Sequence, residues 1–502
     1  MRSPWSLVRR IDSTGRLWRS KIGAPSLTLP LALVAAVSAP GLAESQTLNL
    51  KASWPGQYDT AIGWYPHAGF PPVCAASADP GIAVTNGTVI RIGANFNYGT
   101  YYRNGTSVFQ DRLANFFGNG LLPDNTDIGP PALLYDNDSN RLVMVDTARQ
   151  VGTEQAWITV GTTAVSPPYG GTTDCTFRID ANIRPGAGPT NQYADHVQVG
   201  MNADSILITA DMYKFTNGNF KYSKLWVFPK SAVYNVPLHS CPVFNPSPSY
   251  VAWDFTLPDG SLASHVVPAK SYDPSSSVSY LLSAPVEGGN QLGLWTLDTA
   301  SFNLKGASVP VKPFSIAPLA AQKATSFVPS PPPILTGDSR LVNAVYQPNS
   351  GLWTVHTTTC PWNAKLSCFK WYEIDPNSGT PRQDSFFGYN DSSVFAPAVA
   401  VSRNAAVFAF NSSSSSLFVN LETVGRYAGA PTNALGQSLL VKPGSDVYTR
   451  GTPAYHSGAD TDPTNDNKFW VVGAYASGPN TACPNGTPNY DWATEVGSLV
   501  FR

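Results

Sequence analysis

IAVTNGTVI at Ile82–Ile90, ALLYDNDSNRLVMV at Ala132–Val145 and VQVGMNADSILI at Val197–Ile208 are versions of one phrase. It returns as KSYDPSSSVSYLL at Lys270–Leu282, NAVYQPNSGLW at Asn343–Trp353, AVAVSRNAAVF at Ala398–Phe408 and SGADTDPTNDNKFW at Ser457–Trp470. Each copy has alternating apolar residues, a polar turn, and a second apolar run that often ends in an aromatic. Alternation with period two turns one face of each strand inward, and Asn, Asp, Ser and Gly reverse the chain between strands. The turns fall near 86, 138, 204, 275, 349, 404 and 465. A hairpin repeated at such spacing is the sequence signature of a β-propeller. The expected fold is therefore all-β, a single β-propeller of seven four-stranded blades.

Further strands fill out the units. Lys224–Phe228, Leu292–Leu297 and Phe369–Ile374 alternate aromatic with polar residues and are expected as third strands. Thr47–Lys51 and Val496–Phe501 have matched alternation, so the two ends of the chain are expected to pair and remove the free edges of the ring. Pro329–Pro333 and Asn411–Ser416 are expected as loops between strands, not as domain linkers.

Of 502 residues, 42% are apolar and only 13% charged, with 41 Gly and 44 Pro, which suits many short strands joined by turns and excludes a disordered chain. Residues 1–43 are set apart as a signal peptide: Arg2, Arg9, Arg10, Arg16, Arg19 and Lys21 precede the apolar run LTLPLALVAAV at Leu27–Val37, and Gly41-Leu42-Ala43 offers a cleavage site. That run is too short to span a bilayer. Arg9-Arg10 leaves a twin-arginine variant open. Removing six basic residues and Asp12 from 32 basic and 33 acidic leaves 26 and 32, a net charge of −6 on a propeller domain at 44–502. With no basic cluster left, nucleic acid is not an expected partner, and no membrane span remains after the leader. The chain is expected to be secreted or periplasmic, and monomeric.

Six cysteines, at 74, 175, 241, 360, 368 and 483, suit an exported protein, and none has the Cys-x-x-Cys spacing of a zinc or redox site. Cys360 and Cys368 are expected to form a disulfide closing the short loop between two strands. Six glycosylation sequons, at Asn86, Asn104, Asn137, Asn390, Asn411 and Asn485, matter only in a eukaryotic host, and turn chemistry accounts for several of them.

No H-E-x-x-H, G-x-S-x-G, Walker loop or Rossmann fingerprint is present, which removes zinc metalloproteases, α/β-hydrolases, NTPases and nicotinamide enzymes from consideration. What remains is geometric. Polar residues just before an innermost strand point into the shared funnel of a propeller. The candidates are His196, Arg340, Tyr455 and His456 as catalytic groups, with Asp195, Asp338, His356 and Asp460 as ligand-binding groups. Imidazole, carboxylate and guanidinium converging there can bind an anionic sugar or act as acid and base. The alternative for each is structural: Asp338 and Arg340 pinning neighbouring blades, His356 packed within one. Asp136–Asn140 and Asp460–Asn467 carry the oxygen density of a calcium loop but lack its glycine and closing glutamate. Hairpin turns want the same residues, so no cofactor or metal is expected, with calcium as the alternative.

The order of phrases resembles a family of exported bacterial β-propellers of unsettled activity, across residues 80–502. Its "YD…RW" blade is matched by Leu134-Tyr135-Asp136 through Arg141-Leu142, and its "GDRLMYRLAYRN" by Gly337–Tyr346. "VRWYEL" is matched by Lys370–Glu373 and "RYTGR" by Gly425–Gly429. The closing "VDP…FW…EY…W-x-T-x-IGSF" is matched by Asp462-Pro463, Phe469-Trp470, Ala474-Tyr475, Trp492–Thr494 and Gly497-Ser498. Two departures stand out: the family's "RWGDYS" is here Arg450–Ser457, RGTPAYHS, and its "EY" glutamate is Ala474. A role owed to either family carboxylate does not carry over. The expected function is recognition of an extracellular or envelope ligand, a glycan, through the funnel. The alternative is a polysaccharide hydrolase or lyase using the same residues.

Overall fold

The computed structural model describes residues 46–58, 77–118, 121–123, 125–165, 174–186, 188–234, 246–480 and 489–502. The leader at 1–43, Cys74, Cys241, Cys483 and Asn485 lie outside them. The fold is a β-propeller. Its helices among the described residues are two short ones, Leu113–Gly118 and Lys230–Tyr234. No described helix is long and apolar enough to cross a membrane.

The chain runs as successive antiparallel meanders. The first joins Gly81–Val84, Val89–Ala94, Asn97–Tyr102 and Ser107–Arg112. Those that follow occupy 132–180, 192–252, 267–315, 344–387, 393–442 and 458–501, and each opens on the hairpin read from the sequence. Lys224–Phe228, Leu292–Leu297 and Phe369–Ile374 fall in the third strands of their meanders. The opening strands lie side by side in chain order: Met201 pairs in parallel with Lys270, and Ala269 to Ser271 with Ala344 to Tyr346. Gly81–Val84 lies beside both Ala132–Asp136 and Gly458–Asp462, which brings the last meander back to the first.

The last meander is completed from the other end of the chain. Leu48–Tyr58 pairs antiparallel with Asn489–Phe501, Leu48 opposite Phe501 and Leu50 opposite Leu499, and so covers the terminal edge as expected.

Apolar side chains of neighbouring meanders pack against one another. Val143, Ile158 and Phe177 meet Ile206, Trp226 and Phe228. Phe369 and Trp371 meet Phe408 and Phe410. Trp470, Val472 and Val496 meet Ile82, Val84 and Ile92. A strand whose two faces are both covered this way reads as a continuous apolar run, which is why Ser393–Val401 is buried throughout.

The run Asn411–Ser416 departs from the loop expected of it, because Asn411–Ser414 continues the buried strand Ala405–Ser414. Polar side chains are tolerated there because their donors find acceptors. Asn411 Nδ2 donates to Asn420 O (2.8 Å) and Ala474 O (2.6 Å), Ser413 Oγ donates to Ala321 O (2.8 Å), and Ser412 Oγ donates to Glu422. Asn411 is wholly buried and its sequon is unavailable in the folded protein.

The opening turns use the oxygen-rich residues as turn chemistry. Asp136 Oδ1 accepts the Asp138 and Ser139 amides at 3.1 and 3.2 Å, and Asp462 Oδ1 accepts the Thr464 amide at 3.1 Å. The second oxygen of each carboxylate reaches the next meander's basic side chain. Lys230 Nζ lies 2.8 Å from Asp136 Oδ2, and Arg103 grips Asp462 through both terminal nitrogens at 2.9 and 3.1 Å.

Cys360 and Cys368 form the expected disulfide, Cα atoms 5.0 Å apart, across the hairpin between Gly351–Cys360 and Asn363–Asp375. Gly388 packs against it so closely that a Cβ there would meet Cys368 Sγ at 2.2 Å. Cys175 is disulfide-bonded too, its partner outside the described residues.

Asp462 is a test of ring closure. Burial alone would raise its pKa, but hydrogen bonds from Thr464 and Trp470 and the Arg103 charge hold it below the usual 3.8. A depressed folded pKa contributes stability that is present above the unfolded value and lost as pH falls through the folded one. Asp462→Asn, which leaves Arg103 without its counter-charge, should cost about 3–5 kcal/mol. Melting curves should show this cost near neutral pH, and the difference from wild type should shrink only as pH falls through the depressed pKa of the native carboxylate, below 3.8. A Tm unchanged at neutral pH would show that this clamp does not hold the ring.

Candidate functional site

Four antiparallel strands return the chain to the end where it started, so every link from one meander to the next opening strand lies on one face. These links carry the site. Asp79-Pro80 precedes Gly81, His265 precedes Val267, Gly337–Asn343 precedes Ala344, and Tyr455–Ser457 precedes Gly458. Together with Asp195–Val199 they line one cavity of about 280 Å³.

Of the candidate residues, Asp195, His196, Asp338, Arg340, Tyr455, His456 and Asp460 all line this cavity, although they span more than half the chain. His356 does not. It sits on the second strand of its meander, fully buried, its ring 5.7 Å from the Tyr372 ring and parallel to it, with Nε2 and the Tyr372 hydroxyl 2.8 Å apart. Burial first, and the charge of Lys370 second, lower its pKa to about 3, so it stays neutral between two meanders.

His196 reaches the mouth differently from the others. It lies within strand Gln192–Met201, at a bulge where the pairing skips from Asp195–Asp211 to Gln198–Thr209. Its φ is +54°, a left-handed backbone that costs a non-glycine residue of order 1–3 kcal/mol. The same bulge recurs between Phe395 and Ala398, where Ala396 has φ +52° and is buried among apolar side chains. The bulge is thus a device of the fold, and the imidazole is what this repeat adds to it. His265 (φ +51°), Asp79 (φ +41°) and Gly337 (φ +86°) bring the same left-handed conformation to the rim.

The rim is electrostatically organised around Arg340. Its Nε lies 2.9 Å from both oxygens of Asp338, which also accepts the Arg340 amide at 2.9 Å. Burial would lower the guanidinium pKa, but Asp338, aided by Asp211, raises it. Beside it, His265 is held neutral, its pKa pushed well down by burial and by the charges of Arg340, His196 and His456. Gln198 Nε2 lies 3.2 Å from His265 Nε2. The His196 and His265 rings meet edge-on at 5.8 Å, and His196 Nδ1 stands 3.5 Å from the Tyr213 hydroxyl. Tyr455 is 47% exposed, and burial of its inner half together with the nearby Asp79 raises its pKa.

The floor is closed by charge. Lys270 Nζ lies 2.7 Å from Asp460 Oδ1, joining the fourth meander to the last across the ring, while Asp460 Oδ2 accepts the Val84 amide at 3.0 Å. The Tyr272 hydroxyl is 2.8 Å from Thr461 Oγ1. Burial opposes the charge on Lys270, but Asp460 and Tyr272 outweigh it and raise its pKa.

The carboxylates are mostly engaged. Asp338 holds Arg340 and Asp460 holds Lys270, while Asp79 accepts the Tyr455 amide and the Ser77 hydroxyl, each at 2.6 Å. Asp195 is the loosely held one, its side chain 45% exposed and 3.9 Å from His196 Nδ1. Among the described residues no group of three His, Cys, Asp or Glu side chains is placed to hold a metal.

His265 and Asp79 escaped the sequence reading although they obey the same rule as the residues it found, each standing just before an opening strand. Lys270 escaped because it sits inside the strand Val267–Ser271, and Tyr272 because it follows that strand instead of preceding it.

No family model matches this chain, and no curated protein matches it. Among solved structures, phage phi92 endosialidase aligns over 91% of this chain and 69% of its own, at 8% identity and TM-score 0.40. A subtype N10 neuraminidase-like protein of a little yellow-shouldered bat strain aligns over 76% of this chain and all of its own, at 9% identity and TM-score 0.38. A GH43 β-1,3-galactosidase aligns over 64% and 97%, at 10% identity and TM-score 0.31. Likeness this loose assigns no role to any residue.

The floor makes a separable prediction. Lys270→Met leaves the Asp460 carboxylate buried without its cation and should cost about 3–5 kcal/mol. Lys270→Met combined with Asp460→Asn should recover most of that loss in denaturant unfolding. Strictly additive losses would mean that the pair is not coupled.

Proposed function

We propose that residues 44–502 form one exported propeller of seven four-stranded blades, secreted or periplasmic and monomeric, that recognises a glycan through the mouth of its funnel. The meander pairing, the ring of opening strands and the apolar packing between neighbours support the blade count. The observation that carries the function is the cavity itself. It is open at one face, and its rim mixes donors and acceptors (Gln198, His196, His456, Arg340) with the exposed ring of Tyr455. Hydroxyl-rich ligands need that mixture, and an aromatic face gives a sugar ring its apolar contact.

Binding is favoured over hydrolysis by the state of the carboxylates. A glycosidase needs two free ones flanking the bond. Of the carboxylates that line the cavity, Asp79, Asp338 and Asp460 are tied into structural contacts, which leaves Asp195.

A lyase is the second reading, because Tyr455 and two histidines surround Arg340 without requiring a carboxylate pair. In that chemistry a base takes the proton beside a sugar carboxylate and the glycosidic oxygen leaves from the next carbon, without water. The raised pKa of Tyr455 weighs against the phenol as that base.

The test is a glycan array and a panel of polysaccharide digests with the mature protein. Binding without products is expected, and Tyr455→Ala should weaken it about tenfold with little change in Tm. Release of reducing ends would replace this reading with a hydrolase, and ultraviolet-absorbing unsaturated ends would replace it with a lyase. No binding to any glycan would sink it.

A further inference from the structure

We infer that the terminal nitrogens of Arg340 receive a carboxylate of the bound glycan, so that the ligand is an acidic, uronate-type sugar and not a neutral one. This rests on the glycan reading above and narrows it. A guanidinium carries five N–H donors in a fixed fork. Asp338 takes the Nε side from behind, and the Arg340 backbone amide fixes Asp338 in turn. The four donors on the terminal nitrogens have no protein acceptor among the described residues, although the side chain lines the cavity and is only 22% exposed. A cation aimed this way, clamped on one edge and open on the other, is pre-organised for a ligand on its open edge.

Nothing else in the cavity competes for that edge. Asp460 is neutralised by Lys270, and Asp79 is turned toward Ser77 and the Tyr455 amide. Asp195 is drawn toward its own neighbour His196. With Lys270 paired and His265 neutral, Arg340 presents the open cationic edge at the rim.

Charge also limits the ligand. Two fixed cations, Arg340 and Lys270, face four carboxylates, Asp79, Asp195, Asp338 and Asp460. A dianion such as a phosphomonoester meets about twice the repulsion from that surplus that a singly charged group meets, and a planar, two-oxygen group fits the fork. Lysine in place of Arg340 would keep the charge and lose the fork.

The experiment compares galacturonate oligosaccharides with the same oligosaccharides methyl-esterified, by calorimetry on the mature protein. The two share every hydroxyl and differ in the charge. The acid should bind at least about tenfold tighter than the ester. Arg340→Lys should remove most of that preference, while Tyr455→Ala should weaken acid and ester alike. Should Arg340→Lys fail to fold, the comparison on the wild-type protein still decides the matter.

Equal affinity for acid and ester would overturn the carboxylate receptor and leave glycan recognition standing. Tighter binding of sulfated or amino-sugar oligosaccharides, tested in parallel, would overturn it as well. Binding of none of these, acid, ester or neutral, would remove both the receptor and the glycan reading.

Discussion

A ring of sheets is stable only if it has no end. Every meander here buries one face on its predecessor and the other on its successor, so a single uncovered sheet would expose apolar surface on the scale of a whole interface, at about 25 cal/mol per Å². The chain meets this constraint by completing its last meander with Leu48–Tyr58, drawn from the opposite end and laid against Asn489–Phe501. The Arg103–Asp462 clamp and the cluster of Trp470, Val472, Ile82 and Val84 fasten the same seam. Closure of this kind makes folding non-local, since hundreds of residues separate the paired ends.

Once the ring is closed, the mouth can hold features that would be costly in a looser fold. His196, His265 and Asp79 sit in left-handed backbone. Lys270 and Asp460 share a buried pair whose formation contributes little net stability, yet whose disruption is expensive. Ala396 shows that the bulge itself costs nothing special to function, because the sixth meander carries it with no polar group at all. The fold supplies the geometry at several places round the ring, and the sequence decides where chemistry is attached to it.

Around Arg340 the ordering principle is engagement of charge. Asp338 and Asp460 each hold a basic side chain and Asp79 holds the Tyr455 amide, so these acidic groups act mainly to orient their neighbours.

Alternation and turn chemistry are local properties of sequence, and they were enough to locate every opening hairpin, several third strands, the pairing of the chain ends and the Cys360–Cys368 bridge. They also placed Arg340, Tyr455 and His456 on one rim, because a residue before an opening strand occupies the same place in every repeat, whereas His196 reaches that rim from a bulge inside its strand. Three things depended on tertiary packing. Asn411–Ser414 reads as a polar loop until its partners on other strands are known, and His356 reads as a funnel residue until Tyr372 stacks on it. The Lys270–Asp460 pair joins strands 190 residues apart across the axis. No local pattern encodes such contacts. They exist only where strand pairing or ring closure brings the groups together, and burial then decides which charges can remain.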